Sequence, residues 1–298
     1  MKTFLFRILF AFAGTLAAAA TAEAKAEWRN FPSEDLYTFE KFKGPDLTKG
    51  AALFPREKVE RIAFARTTSA IVIGGTFPVA RYYFAFDAFK NRPDLNALIA
   101  KEIFSNGLKL PWGFEALTKA TPSFARNFEG LTIREATEWF VNGTTQLSAL
   151  EHAFRALETM PDIRPSHLYR YVRIGNIYAP RGDFVSASFY YCDFASGAHS
   201  DVGVFAFTLD METGKKVSLA DLFRPGFEAP LTKLLRDCDP RKYGTPNAYP
   251  SDRFLLLNDG MLFIHNPYEI DGFASGVFAI FVPAADLRPL LKPELGLY

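Results

Sequence analysis

Charge of one sign is the first thing this sequence lacks. Across 298 residues, 34 Lys and Arg stand against 33 Asp and Glu, a formal net charge of +1. A nucleic-acid binder would carry a strong basic excess, so no nucleic-acid partner is expected. Histidine is scarce too: His152, His167, His199 and His265 are scattered, none with a second histidine at ligand spacing. There is no HExxH motif, no glycine-rich phosphate loop and no nucleophile elbow. No metal and no cofactor is expected. The only cysteines are Cys192 and Cys238, too far apart for the paired spacing of a structural zinc site. Beyond the N-terminus no run is apolar enough to cross a bilayer, which takes about 20 residues.

The N-terminus carries an address. Lys2 and Arg7 precede an uncharged run from Ile8 to Ala20, and Ala22-Glu23-Ala24 supplies the small residues a signal peptidase reads. That order reads as a cleavable signal peptide over 1–24, with an uncleaved anchor as the other reading. No cysteine follows to take a lipid. The expectation is a periplasmic or secreted protein starting near Lys25, with no stable membrane insertion after cleavage. Removing the leader takes two cations and one anion away and leaves the charges balanced. In an exported chain a lone cysteine pair reads as one disulfide, Cys192–Cys238, worth about 4 kcal/mol in the chain-entropy model. Two separate buried thiols are the alternative.

Residues 25–60 are rich in charge, Pro and Gly and read as an extended lead-in. "IVIGG" at 71–75 and "ARYYFAFDAF" at 80–89 read as strands. Leu95, Leu98, Ile99, Glu102 and Ile103 fall at helical spacing, with Asn106-Gly107 as a stop. Thr132 and Glu135 have the spacing of a capping box, opening a helix whose stripe runs through Ile133, Ala136, Phe140 and Val141. Asn142-Gly143 is expected to kink or divide it. After Pro165 strand candidates dominate: 167–179, 183–194, and "VGVFAFTLDMETGKKVSLADLF" with a turn at Thr213-Gly214 and a helical turn opened by Ser218. "FEAPLTKLLRDC" is an amphipathic helix ending at Cys238. "DRFLLLNDGMLFIHN" reads as a hairpin with Asp259-Gly260 as a positive-φ turn, and "GVFAIFVP" as a last strand before a short helix from Ala284. Strand pairs mixed with separate helices indicate an α+β fold, with mixed or antiparallel sheets, packed helices and two closely associated subdomains. The division expected is 61–165 and 166–298.

Chemistry is harder to find. "SGAHSD" at 196–201 holds His199, Ser200 and Asp201, three residue types of a hydrolytic triad. Adjacent side chains diverge in a strand and do not converge as nucleophile, base and orienter. Gly197 beside it permits an unusual backbone angle, and His199 reads as a residue that ties down the bend. Glu269 and Asp271 are a pair a hydrolase could use, but an ordinary loop is the simpler reading. No catalytic residue is assigned.

The landmarks after Pro165 together resemble a known family. They are the aromatic strand, the small-Gly-Ala-His bend (Gly197, Ala198, His199), "FAFTLDMETGKKVSLADLF" with Thr213, Gly214, Leu222 and Phe223, and "FIHNPYEIDGFASG" with Pro267, Tyr268, Glu269 and Gly276. They resemble the RsiV-like C-terminal domain of anti-sigma-factor ectodomains and of PdaC-type peptidoglycan deacetylases, over about residues 165–292. Residues 60–165 are more distantly similar to the PdaC-type N-terminal module that accompanies it. Ser196 stands where the family bend commonly has a first glycine. The resemblance implies a non-catalytic α+β module working outside the cytoplasmic membrane; anti-sigma members bind lysozyme. This sequence shows no sigma-binding segment, transmembrane helix or deacetylase domain, so the recognition module alone is implied.

The expected function is therefore an exported, non-catalytic cell-envelope binding module whose partner is a lysozyme-like muramidase or peptidoglycan. Main-chain edges and exposed aromatics would make the contact. The connection carrying Pro267, Tyr268, Glu269 and Phe273 is the expected surface, turned by Gly272 and Gly276. The alternatives are a cell-wall hydrolase or deacetylase of unfamiliar design, marked by a cleft with converging carboxylates, and a structural periplasmic protein.

Overall fold

The computed structural model describes residues 51–72, 75–105, 130–158, 169–194, 200–239, 248–272 and 276–298. The expected signal peptide, the lead-in before residue 51, the Asn106-Gly107 stop, the 195–199 bend and Phe273 lie outside the described residues. The division expected at 165/166 also falls outside them.

Two sheets make the framework. The first has six strands in sequence order: β1 (Val59–Val72), β2 (Gly75–Phe89), β3 (Tyr169–Ile177), β4 (Phe184–Phe194), β5 (Asp201–Asp210) and β6 (Lys216–Val217). All neighbours are antiparallel except β2 and β3, which run parallel with Tyr82 opposite Tyr171. The sheet is mixed and runs continuously through elements on both sides of residue 165. The second sheet is antiparallel: β7 (Phe254–Leu256), β8 (Gly260–His265) and β9 (Phe278–Pro283). Helices α1 (Pro93–Ser105) and α2 (Ile133–Glu158) belong with the first sheet. The shorter α3 (Leu219–Leu222), α4 (Glu228–Asp237) and α5 (Ala284–Leu287) belong with the second. The fold is α+β.

Period-two alternation stacks these pieces into four layers. Phe84, Phe86 and Phe189 pack with Phe104 and Phe140 of α1 and α2. Val204 and Ala206 face the other way and meet Leu255, Leu262 and Ile264 of the second sheet. Phe254, Leu256, Met261, Phe263, Ile280 and Val282 point outward again, against Leu231, Leu235 and Leu287. Each large apolar side chain so buried contributes about 1.5–3 kcal/mol. A polar link joins the sheets: Ser186 Oγ shares a 2.9 Å bond with Thr208 Oγ1 and accepts from Leu256 N at 2.8 Å.

Local sequence accounts for most boundaries. Thr132 and Glu135 form the expected capping box: Thr132 N donates to Glu135 Oε2 at 2.8 Å and Glu135 N to Thr132 Oγ1 at 3.2 Å. Ser218 and Asp221 form another. Gly214 turns β5 into β6 at φ 66°.

Three expectations need correction. Asn142-Gly143 does not divide the helix, and α2 is continuous for 26 residues. Thr144 and Thr145 bond back to the Phe140 and Val141 carbonyls at 2.6 Å each, and the Tyr82 hydroxyl meets Val141 O, Thr144 and Thr145 at 3.1, 2.8 and 2.9 Å. The helix is held to the sheet at the point of expected failure. β1 begins at Val59, inside the expected lead-in, and is a 14-residue strand rather than a short run near 71. Its base is fixed by Asp87, 1% exposed, which accepts from Arg56 at 2.8 Å and Arg61 at 3.0 Å. The β7–β8 turn is Asn258-Asp259, with Leu257 N donating to Gly260 O at 2.9 Å. Gly260 starts the strand without a positive φ. It is needed for close approach, since a Cβ would strike the Val282 carbonyl and lie 2.8 Å from the Phe281 ring.

Candidate functional site

Where α1 and α2 stop covering the first sheet, a cleft of about 680 Å³ opens. Its floor is built from register. Across β3, β4 and β5, Arg173, Tyr191 and Gly203 form one row and Tyr171, Asp193 and Asp201 the next. Side chains two apart share a face, so an arginine, two carboxylates and an aromatic ring converge there. Arg173 is 0% exposed. Its guanidinium donates to Ile103 O at 3.0 Å, to Val172 O at 2.7 Å, and through both terminal nitrogens to Asp193, the second at 2.8 Å. Burial pushes the Asp193 carboxyl above its ordinary value against the pull of Arg173, and Asp201 adds to the rise.

Beside this pair is an aromatic shelf. Gly203 lies opposite Tyr191, and a Cβ there would sit 2.6 Å from the ring. The Tyr191 ring therefore lies over the strand and stacks on Phe205, centroids 4.5 Å apart. Burial, with Asp201 and Asp193 close by, pushes the Tyr191 hydroxyl up to about 12. The remaining wall holds Glu102 of α1, Lys216 of β6, Val202 and Ala206 of β5, and Arg253, Asn266, Pro267, Tyr268 and Glu269 around the second sheet.

The turn after β8 is locked to the edge of β5. Asn266 uses its side-chain amide like a neighbouring strand: Val204 N donates to Oδ1 at 2.8 Å and Nδ2 donates to Val204 O at 3.3 Å. Glu269 closes the turn, accepting from Asn266 N at 2.9 Å and pairing with Arg253. Between them Tyr268 is at φ 70°, the one non-glycine residue with positive φ among the described residues, and is 68% exposed. An aromatic residue there stores strain of about 1–3 kcal/mol, and such outliers cluster at functional sites. Of the expected contact residues, Pro267, Tyr268 and Glu269 line the cleft, with Tyr268 on its rim. Glu269, read as a charge for a partner, is engaged by its own turn. Gly276 has the positive φ a reversal needs, at 66°, whereas Gly272 does not.

Gly197, Ala198 and His199 lie outside the described residues. The expected disulfide is not formed: both cysteines are free. Cys192 is buried on β4 with Val172 and Val202 as its register partners, and Cys238 caps α4 in the cluster on the far side of the second sheet. A sheet separates them. Burial pushes both thiols up. Among the described residues no group of three His, Cys, Asp or Glu could hold a metal ion, and no helix is long and apolar enough to cross a membrane.

Sequence reasoning missed Arg173, Tyr191, Asp193, Phe205 and Arg253, and met Asp201 only as a member of the dismissed 199–201 triad. A signal existed for two of them. Arg173 in "YRYVRIG" and Asp193 in "YYCDF" place opposite charges within strands otherwise apolar enough to be buried, where a charge needs a partner.

No protein-family profile and no curated protein matches the sequence. Solved structures do. A DUF3298-family protein from Bacteroides fragilis NCTC 9343 superposes with a TM-score of 0.60 at 16% identity, covering 80% of this chain and 96% of that one. A DUF3298-family protein from Pseudomonas aeruginosa PAO1 gives 0.47 at 14% identity, over 84% and 98%. The fold of this chain is similar to that of the Bacteroides fragilis DUF3298 protein.

Proposed function

We propose that this chain is an RsiV-like, non-catalytic binding module of the cell envelope and that it holds a lysozyme-like muramidase at the cleft beneath Tyr268. The observation that carries this reading is the exposed, left-handed Tyr268 on the rim of a 680 Å³ cleft. A rigid turn presents a large amphipathic side chain there at low entropy cost, as protein-binding surfaces do. The strand edge supports it. An antiparallel ladder alternates its main-chain groups, so those of Val202 and Ala206 point away from β4, as those of Val204 do. They offer donors and acceptors to a partner's backbone. The cleft's carboxylates repel the acidic groups of peptidoglycan, which favours a protein partner.

The cross-strand carboxylates Asp193 and Asp201 are the arrangement a hydrolase would need. Asp193 has both oxygens engaged by Arg173, so it is not poised to exchange a proton or attack. Binding is the better use of this cleft. Titration calorimetry of the exported protein against a basic lysozyme, with soluble peptidoglycan in parallel, tests the reading. Lysozyme should bind and Tyr268→Ala should lose about 1–3 kcal/mol of binding free energy with an unchanged circular dichroism spectrum. Binding of neither ligand, or equal binding by the variant, would overturn it.

A further inference from the structure

The charges around the cleft do not balance. Four carboxylates line it, Glu102, Asp193, Asp201 and Glu269, against two cations, Lys216 and Arg253. Glu102 pairs with Lys216 at 3.1 Å, Glu269 with Arg253, and Asp193 with the buried Arg173. Both cleft cations are thereby committed. The Asp201 carboxylate is left exposed, with no side-chain hydrogen bond or ion pair to another described residue. It also stands directly opposite Asp193, and like charges in that relation destabilise a sheet. The rings beside it suit a cation. Tyr191 and Phe205 are stacked and half-buried, and Arg173 already lies 5.7 and 5.9 Å from their ring centres. Aromatic surface next to a carboxylate favours a guanidinium, which stacks and pairs at once.

We infer that the cleft seats an arginine side chain of the protein partner, its guanidinium on the Asp201 carboxylate and against the Tyr191–Phe205 shelf. This rests on the reading of the cleft as a partner-binding site and names the group it recognises. A bound guanidinium supplies the counter-charge that Asp201 lacks and relieves its repulsion from Asp193. A neutral glycan does neither.

The test needs no identified partner. N-acetyl-arginine methylamide is titrated into the isotope-labelled full chain and followed by amide chemical shifts. The uncharged citrulline analogue and a neutral N-acetylglucosamine tetramer serve as controls. The amides of Asp201, Val202 and Phe205 should move with the arginine compound, and the citrulline analogue should bind about tenfold more weakly, a ratio equal to ~1.4 kcal/mol. Asp201→Asn should abolish the response while melting at or above the parent temperature. Equal binding of citrulline, shifts mapping away from the cleft, no shifts at all, or an unchanged response in Asp201→Asn would overturn the assignment. If lysozyme binding still depends on Tyr268 in that event, the binding-module reading stands without its arginine seat. If lysozyme does not bind but the arginine amide still maps to Asp201, the reverse holds.

Discussion

Removing the carboxylate of Asp193 should destabilise this protein far more than its place near a cleft suggests. Arg173 is 0% exposed and Asp193 12% exposed, so Asp193→Ala strands a guanidinium that water cannot reach. Arg173 keeps its bonds to Ile103 O and Val172 O and loses both charge-assisted bonds to the carboxylate. Breaking a buried pair in this way costs about 3–5 kcal/mol. At roughly 2–4 °C per kcal/mol for a chain of this size, that lowers Tm by about 10 °C. Substituting both partners with apolar residues, Arg173→Met with Asp193→Leu, leaves no orphan charge. The double variant should recover most of the loss, because a buried pair is often worth little against an apolar replacement. Urea unfolding of the parent and the two variants measures this directly. A loss below about 1 kcal/mol in Asp193→Ala would mean that Arg173 is solvated, and the description of the cleft floor would be wrong.

Three further outcomes follow from the packing. Gly260→Ala should lose more than ~2 kcal/mol in the same assay, because its Cβ has no room beside Val282 O and lies 3.0 Å from Pro283 Cα; parent-like stability would show that β8 and β9 separate easily. Thiol labelling of the unfolded, non-reduced protein should modify both Cys192 and Cys238, and an absence of labelling would restore the disulfide. Bonds from the Ser218 hydroxyl and backbone N–H hold the Asp221 carboxyl below its ordinary value of 3.8. A depressed folded value gives stability that is present above 3.8 and lost as pH falls through the depressed value. The stability gap between the parent and Asp221→Asn should therefore close in acid, and a constant gap would refute the linkage.

The sequence spoke most clearly where local chemistry decides the structure. The capping box at Thr132, the helical turn opened by Ser218, the α1 stripe and the Thr213-Gly214 turn need only neighbours to form, and each stands where expected. What failed was decided across the chain. Gly260 looks like a turn glycine, yet it answers to Val282 on the next strand. Asn142-Gly143 looks like a break until Tyr82, far away in sequence, grips the helix there. The lone cysteines look like a bridge, but topology puts a sheet between them. The cleft was legible only at its rim: Pro267, Tyr268 and Glu269 stand out in a short motif, whereas Tyr191, Asp193 and Asp201 become one site only when β3, β4 and β5 fall into register.

Hydrogen exchange of the protein with and without a basic lysozyme tests the central claim most directly. Protection confined to 200–206 and 266–272, weakened in Tyr268→Ala, is the predicted result. Protection on α3 to α5 with no change along the β5 edge would contradict it.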